Sequence, residues 1–191
     1  MSPTIVNAKR DLGFALTDLV ERFPRATPRD LEHALGRGFL IQRLIEQPSD
    51  ERPIGARFAT IAVSASELKA SPVFTFDGRE LVFTIPKEPR SQIAPWASLG
   101  RLGRNSIPIA HPSVSKMHTL VRFDADRYWL ADAGSRNGTL LNGIAVPRYD
   151  RGEAIALKNG DVVQIGAVRL SFASCEGLST ILRTLSTQKR T

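Results

Sequence analysis

Three Asn-Gly dipeptides, Asn137-Gly138, Asn142-Gly143 and Asn159-Gly160, punctuate the second half of the chain. Asn and Gly tolerate positive backbone φ, so each pair suits a tight reversal between short extended segments. The segments they separate are apolar and brief: Thr139 to Asn142, Ala154 to Leu157, Asp161 to Ile165 and Val168 to Phe172. Thr119 to Phe123 and Tyr128 to Asp132 precede them, and Val73-Phe74-Thr75-Phe76 and Leu81 to Ile85 flank Asp77-Gly78 as a hairpin. Short strands at this spacing, with no helical pattern between them, predict a mainly β fold, an antiparallel β-sandwich over residues 73–175.

The first part of the chain has a different period. Leu12, Ala15, Leu16, Leu19, Val20 and Phe23 recur as one helix face, which Pro24 ends. A second helix is expected from Thr27 as cap, with Pro28 in the first turn and Asp30 three residues after the cap. Its stripe reads Leu31, Ala34, Leu35, Gly38, Ile41 and Ile45, so residues 1–47 are read as an N-terminal α-helical extension. That extension either packs on the following domain or serves as a surface for a partner or a second copy. Residues 48–72 read as a linker, within which Phe58 to Val63 fits a strand or a helix equally. Leu178, Ile181, Leu182 and Leu185 suit a short helix in the tail 176–191, for which a frayed terminus is the expectation.

Of the 191 residues, 42% are apolar and 24% charged, an ordinary globular balance. The net charge of +7 is spread along the chain, and the longest Lys/Arg run is Lys189-Arg190. A binder of the nucleic-acid backbone concentrates such residues in a stripe or tail, so nucleic acid is a minor alternative. No stretch approaches the ~20 apolar residues of a membrane helix, and the N-terminus has no secretory pattern. A lone cysteine, Cys175, fits a reducing, cytoplasmic location. His33, His111 and His118 are too scattered to suggest a metal site, and no cofactor motif is present.

The block Leu99–Gly143 carries the chemistry. Gly100-Arg101 precedes Ser115-Lys116-Met117-His118, followed by Asp132-Ala133-Gly134-Ser135-Arg136-Asn137-Gly138-Thr139 and Asn142-Gly143. Arg, Ser, Lys and Asn side chains in or beside the turns of a sandwich supply hydrogen-bond donors. No base accompanies Ser115, and Gly134 to Gly138 does not match the nucleophile elbow, so an anion receptor is expected rather than an enzyme.

These motifs, in this order, resemble the forkhead-associated (FHA) family of phosphothreonine-reading domains, over about residues 73–174. The resemblance implies a module that binds phosphothreonine segments, a signalling adaptor downstream of a Ser/Thr kinase. The alternative is a phosphate-independent scaffold on the same fold. Of two Gly-Arg pairs, only Gly100-Arg101 stands fourteen positions before Ser115, as in the family; Arg104 becomes a rim charge. The resemblance implies phosphate contacts by Arg101, Ser115 and Lys116, a peptide-backbone contact by Asn137, and a phosphate or peptide contact by Arg136. It further implies that Gly100, His118, Ser135 and Gly138 shape or brace the binding loops. Its partners would be phosphothreonine proteins and a Ser/Thr kinase, with no membrane involved.

Overall fold

The computed structural model describes residues 13–43, 80–86, 93–124 and 126–188. Twelve strands and three helices occur among them. Strands β1 (Phe14–Ala15), β2 (Gly38–Arg43), β3 (Glu80–Thr84), β8 (Thr139–Leu141), β9 (Ile144–Ala145), β11 (Val162–Ile165) and β12 (Val168–Ser174) form one sheet. Its spatial order is β1-β3-β2-β12-β11-β8-β9. Strands β4 (Ala97–Gly100), β5 (Ile107–Pro108), β6 (Thr119–Asp124), β7 (Arg127–Asp132) and β10 (Ile155–Leu157) form the second, ordered β10-β7-β6-β4-β5. Pairing between these strands is antiparallel throughout except β4–β5, where Leu99 and Gly100 lie parallel to Ile107 and Pro108.

The alternation along the strands builds the sandwich core. Leu40, Leu99, Val121, Leu130, Val163 and Leu170 point inward from both sheets into one buried cluster. Trp129 and Arg122 pair across β6 and β7 on the opposite, outer face, where Arg122 lies 4.9 Å over the Trp96 ring. The Asn-Gly turns work as their composition predicts. Asn142 and Gly143 adopt φ of 51° and 84° between β8 and β9, a reversal that most other residues resist.

The helices close a second core on the outer face of the seven-stranded sheet. Helices α1 (Leu16–Arg22), α2 (Pro28–Ala34) and α3 (Cys175–Gln188) bury Leu16, Leu19, Leu31, Leu178 and Leu182 against Phe39 and Ile41 of β2. Helix α2 starts as expected. Thr27 Oγ1 accepts from Asp30 N at 3.3 Å, and Asp30 Oδ2 accepts from Thr27 N at 2.8 Å. The bonds that Thr27 N and, at 2.7 Å, Thr27 Oγ1 donate to Asp30 Oδ2 hold the Asp30 carboxyl below the usual carboxylate range.

Two readings of the sequence are corrected here. The expected second helix does not continue through Gly38, Ile41 and Ile45, because α2 ends at Ala34 and residues Gly38–Arg43 are strand β2. Gly36 breaks the helix at φ +120°, and Gly38 lies flat against the Tyr128 ring, where a Cβ would collide. Phe39 and Ile41 face the helices while Leu40 faces the sandwich, so β2 is buried on both sides. A strand buried on both faces loses its alternation and imitates a helical apolar run. The tail is not frayed through its first part either: α3 is a 14-residue helix. Leu178 and Leu182 are buried on one of its faces, and Ser179 Oγ donates to Ala26 O at 2.8 Å. The linker 48–72, the strand Val73–Phe76 and the Asp77-Gly78 turn lie outside the described residues.

No helix among the described residues is long and apolar enough to cross a membrane. Because Leu182 is fully buried between α3 and the sheet, Leu182→Ala should cost about 3 kcal/mol. Urea unfolding would read this as a lower midpoint with an unchanged slope.

Candidate functional site

The loops at one end of the sandwich are tied to each other by backbone bonds before any side chain enters. Arg101 N donates to Ser115 O at 2.9 Å, Ile109 N to Gly100 O at 2.9 Å, and His118 N to Leu99 O at 2.8 Å. Gly100 is where the loops press closest. A Cβ there would lie 2.5 Å from Lys116 O and 2.8 Å from Met117 Cα, so only glycine fits without backbone movement. This contact sets Arg101 beside Ser115.

Arg101 is exposed, and its Nε donates to Val114 O at 3.2 Å. That bond orients the guanidinium and leaves both terminal amino groups for a ligand. Ser115 Oγ accepts from Arg136 N at 3.0 Å, so its hydroxyl proton remains available for donation. Lys116 is exposed, and its carbonyl accepts from Asn105 Nδ2 at 2.8 Å. Asn137 Nδ2 donates to Ser113 O at 2.8 Å, a bond that holds the carboxamide and leaves its oxygen and its second N–H for other partners.

His118 sits beneath these loops, fully buried. Its Nδ1 accepts from Ser115 N at 3.0 Å, which assigns the ring proton to Nε2, and Nε2 donates to Gly138 O at 3.0 Å. One imidazole thereby joins the loop of Ser115 to the loop of Asn137. The same bonds bear on catalysis. Both ring nitrogens are engaged by backbone, and the Ser115 hydroxyl does not reach His118, so no nucleophile–base pair is assembled.

Asp132 shapes the loop after β7. Its Oδ1 accepts from Gly134 N and Ser135 N, both at 2.8 Å, and its Oδ2 from Ser135 Oγ and Thr139 Oγ1, both at 2.7 Å. Burial pushes this carboxyl upward, but the hydrogen bonds from Ser135, Thr139 and Gly134 outweigh it and hold it below the usual range. It is the one carboxylate in the segments 101–118 and 132–138. The exposed edge of the site therefore presents cations and neutral donors.

All five ligand candidates of the sequence, Arg101, Ser115, Lys116, Arg136 and Asn137, lie on these tied loops. Residues with a quieter signal complete the scaffold. Buried Asn105 donates to both Leu102 O (2.7 Å) and Lys116 O (2.8 Å), which pins the turn carrying Arg104. Ser113 Oγ accepts from Ala167 N at 2.8 Å and lies 2.7 Å from His111 Nδ1, bringing the β11–β12 turn against the site. In the sequence both look like ordinary turn residues, because their partners are 11 and 54 positions away.

Two measurements probe this bracing. His118→Ala strands Ser115 N and Gly138 O and leaves a cavity, and should cost about 3 kcal/mol in unfolding free energy while abolishing ligand binding. For Asp132, a folded-state pKa held below the unfolded one contributes stability present above the unfolded value. That contribution is lost as pH falls through the folded value, in the acid range under 3.8. Thermal melts between pH 2 and 6 should show this loss in the native chain and a shallower one in Asp132→Asn.

The FHA domain family model matches residues 97–166. The ABC transporter ATP-binding/permease protein Rv1747 of Mycobacterium tuberculosis is 36% identical over 87 residues, 44% of this chain and 9% of that protein. The glycogen accumulation regulator GarA of Mycolicibacterium smegmatis is 36% identical over 78 residues, 41% of this chain and 46% of that protein. This chain thus spans less than half the length of these curated relatives. A solved FHA domain, described in a study of phosphothreonine-dependent interactions, aligns with 51% of this chain and 85% of its own at 24% identity and a TM-score of 0.40. The family match falls on the strands and loops that carry Arg101, Ser115, His118 and Asn137: residues 97–166 of this chain match the FHA domain family.

Proposed function

We propose that this chain binds phosphothreonine-containing protein segments through the loops around Arg101, and acts as a signalling adaptor downstream of a Ser/Thr kinase. The supporting observation is the juxtaposition of Arg101 with Ser115, whose backbones share a 2.9 Å hydrogen bond, in segments 101–118 and 132–138 whose one carboxylate, Asp132, is buried. A phosphothreonine carries about −1.5 to −2 charges and three acceptor oxygens. Arg101 and Lys116 supply charge, and the Ser115 hydroxyl supplies a neutral donor. Arg136 follows on the neighbouring loop, and Asn137 offers its carboxamide oxygen to the peptide backbone. In this reading Gly100, His118, Ser135 and Gly138 hold the loops and touch no ligand.

The physical scale agrees with a reversible switch. Each hydrogen bond to a charged group contributes about 1.5–3 kcal/mol. Three of them, set against the ordering of a flexible peptide, leave micromolar-class affinity that depends on the phosphoryl group. The donor-only chemistry, together with a family of binding modules, supports a non-enzymatic role with no cofactor. A cytoplasmic setting follows from the proposed kinase partner and agrees with a sequence that holds a single cysteine, Cys175.

Titration of the full chain with matched phosphorylated and plain threonine peptides tests the proposal. The phosphorylated peptide should bind at least about 100-fold more tightly, and Arg101→Ala should remove about 3 kcal/mol of that affinity. Equal binding of the plain peptide would instead identify a phosphate-independent scaffold. Salt-sensitive binding of a short duplex that survives Arg101→Ala would identify a nucleic-acid surface.

A further inference from the structure

A groove on the outer face of the five-stranded sheet takes no part in the site described above. Its floor is Arg122 of β6 beside Trp129 of β7, which are cross-strand partners. Trp96, just ahead of β4, stands on one side, and Tyr149 with Gly152 and Glu153 stands on the other. The groove has a volume of about 400 Å³. Its floor lies three register positions along β6 and β7 from the Thr119–Asp132 pair, roughly 10 Å from the loops of Ser115 and Asn137.

Two charged groups of this groove are left short of partners. The Arg122 guanidinium is stacked over Trp96, its Nε has no acceptor, and its Nη2 is 3.9 Å from Asp124, beyond hydrogen-bond reach. Glu153 is exposed and makes no ion pair or side-chain hydrogen bond among the described residues. The two lie on either side of β7, about two strand spacings or roughly 10 Å apart across the sheet. Between them is rigid aromatic surface. Trp129 Nε1 donates to Asp124 O at 3.3 Å, which holds the indole in place and leaves its face open to the groove.

The backbone beneath the groove is already spent, because β6 and β7 pair with each other and with β4 and β10. A ligand on this face meets side chains only, and its own backbone N–H groups find no acceptor. Proline brings no N–H, and its ring packs flat against Trp and Tyr. A polyproline segment is also extended before it binds and advances about 3.1 Å per residue, so charges three positions apart span the distance between Arg122 and Glu153. We infer that this groove docks an extended, proline-containing segment of a partner protein. The segment carries an acidic residue for Arg122 and, three positions away, a basic residue for Glu153. It needs no phosphoryl group, and the inference is independent of the phosphothreonine reading.

Trp96 and Trp129 are the two tryptophans of the chain, so tryptophan emission from the full chain reports this groove. The probe is the synthetic peptide acetyl-Glu-Pro-Pro-Arg-amide, which has no fluorophore and no phosphate. Titration should give a saturable change in emission, and the affinity should fall about fivefold or more when both prolines are replaced by serine. Arg122→Gln and Glu153→Gln should each weaken the probe about two- to fivefold, the scale of an exposed ion pair. Glu153→Gln alters an exposed side chain, so its urea midpoint should match that of the native chain. No emission change at ~1 mM probe would overturn the docking site. Equal affinity for the serine peptide would overturn the proline-containing occupant. Affinity unchanged in both variants would overturn the assignment to Arg122 and Glu153. An emission change that follows protein concentration rather than probe would mark the groove as a contact between two copies and overturn the partner segment.

Discussion

A buried imidazole is the central tie of this site, acting with the bonds of Arg136 N to Ser115 Oγ and of Asn137 Nδ2 to Ser113 O. The two halves of the ligand surface belong to loops about twenty residues apart in sequence, and each loop is rich in small polar residues with little apolar area to bury. Hydrophobic packing cannot fix such loops. His118 fixes them by directional bonds, taking the N–H of Ser115 on one ring nitrogen and giving its proton to Gly138 O from the other. In a water-excluded position neither bond has a solvent alternative, so the two loops hold one relative placement. Asp132 does the same within its own loop, and its four short bonds engage the one carboxylate of segments 101–118 and 132–138.

Fold and site are coupled through the strands that carry these loops. Residues 97–100, 119–124 and 127–132 are central or next to central in the five-stranded sheet, with inward side chains in the sandwich core. The seven-stranded sheet has a further burden. Its β2 and β12 carry apolar residues on both faces, and the outer face is covered by the three short helices. Helices α1 and α2, at seven residues each, are too short to persist alone. They exist because the sheet offers Phe39, Ile41 and Val82 as a floor, and the C-terminal helix encloses the same cluster. Their apolar sides are therefore occupied within the chain.

Strands β6, β7, β8, β10, β11 and β12 were legible in the sequence as short apolar runs, most of them next to a Gly-containing turn, whereas the two-residue β9 gave no such signal. The cap of α2 was legible because Thr27 and Asp30 bond each other across three residues, with Pro28 in the first turn. Strand β2 was not. Its Phe39-Leu40-Ile41 run is buried on both sides, and period is informative only where one face meets water. Helix α3 had a visible apolar stripe, but its ordering depends on a surface contributed by residues more than 130 positions earlier. In the site, Arg101, Ser115, Lys116, Arg136 and Asn137 stood out as donors in turns, whereas the bracing by Ser113 and Asn105 depends on partners 54 and 11 positions away.

What the sequence determined alone was the class of strand-and-turn fold and the donor-rich chemistry of its turns, because backbone preference and side-chain functional groups are local properties. What only the tertiary structure decided was which donors stand together and which way each one faces. Arg101 meets Ser115 because glycine at position 100 lets two backbones touch. The Asn137 carboxamide takes one orientation because one of its two amide hydrogens bonds Ser113 O. Contacts of that kind join residues distant along the chain, and a hydrogen bond's direction is set only once both partners have been placed.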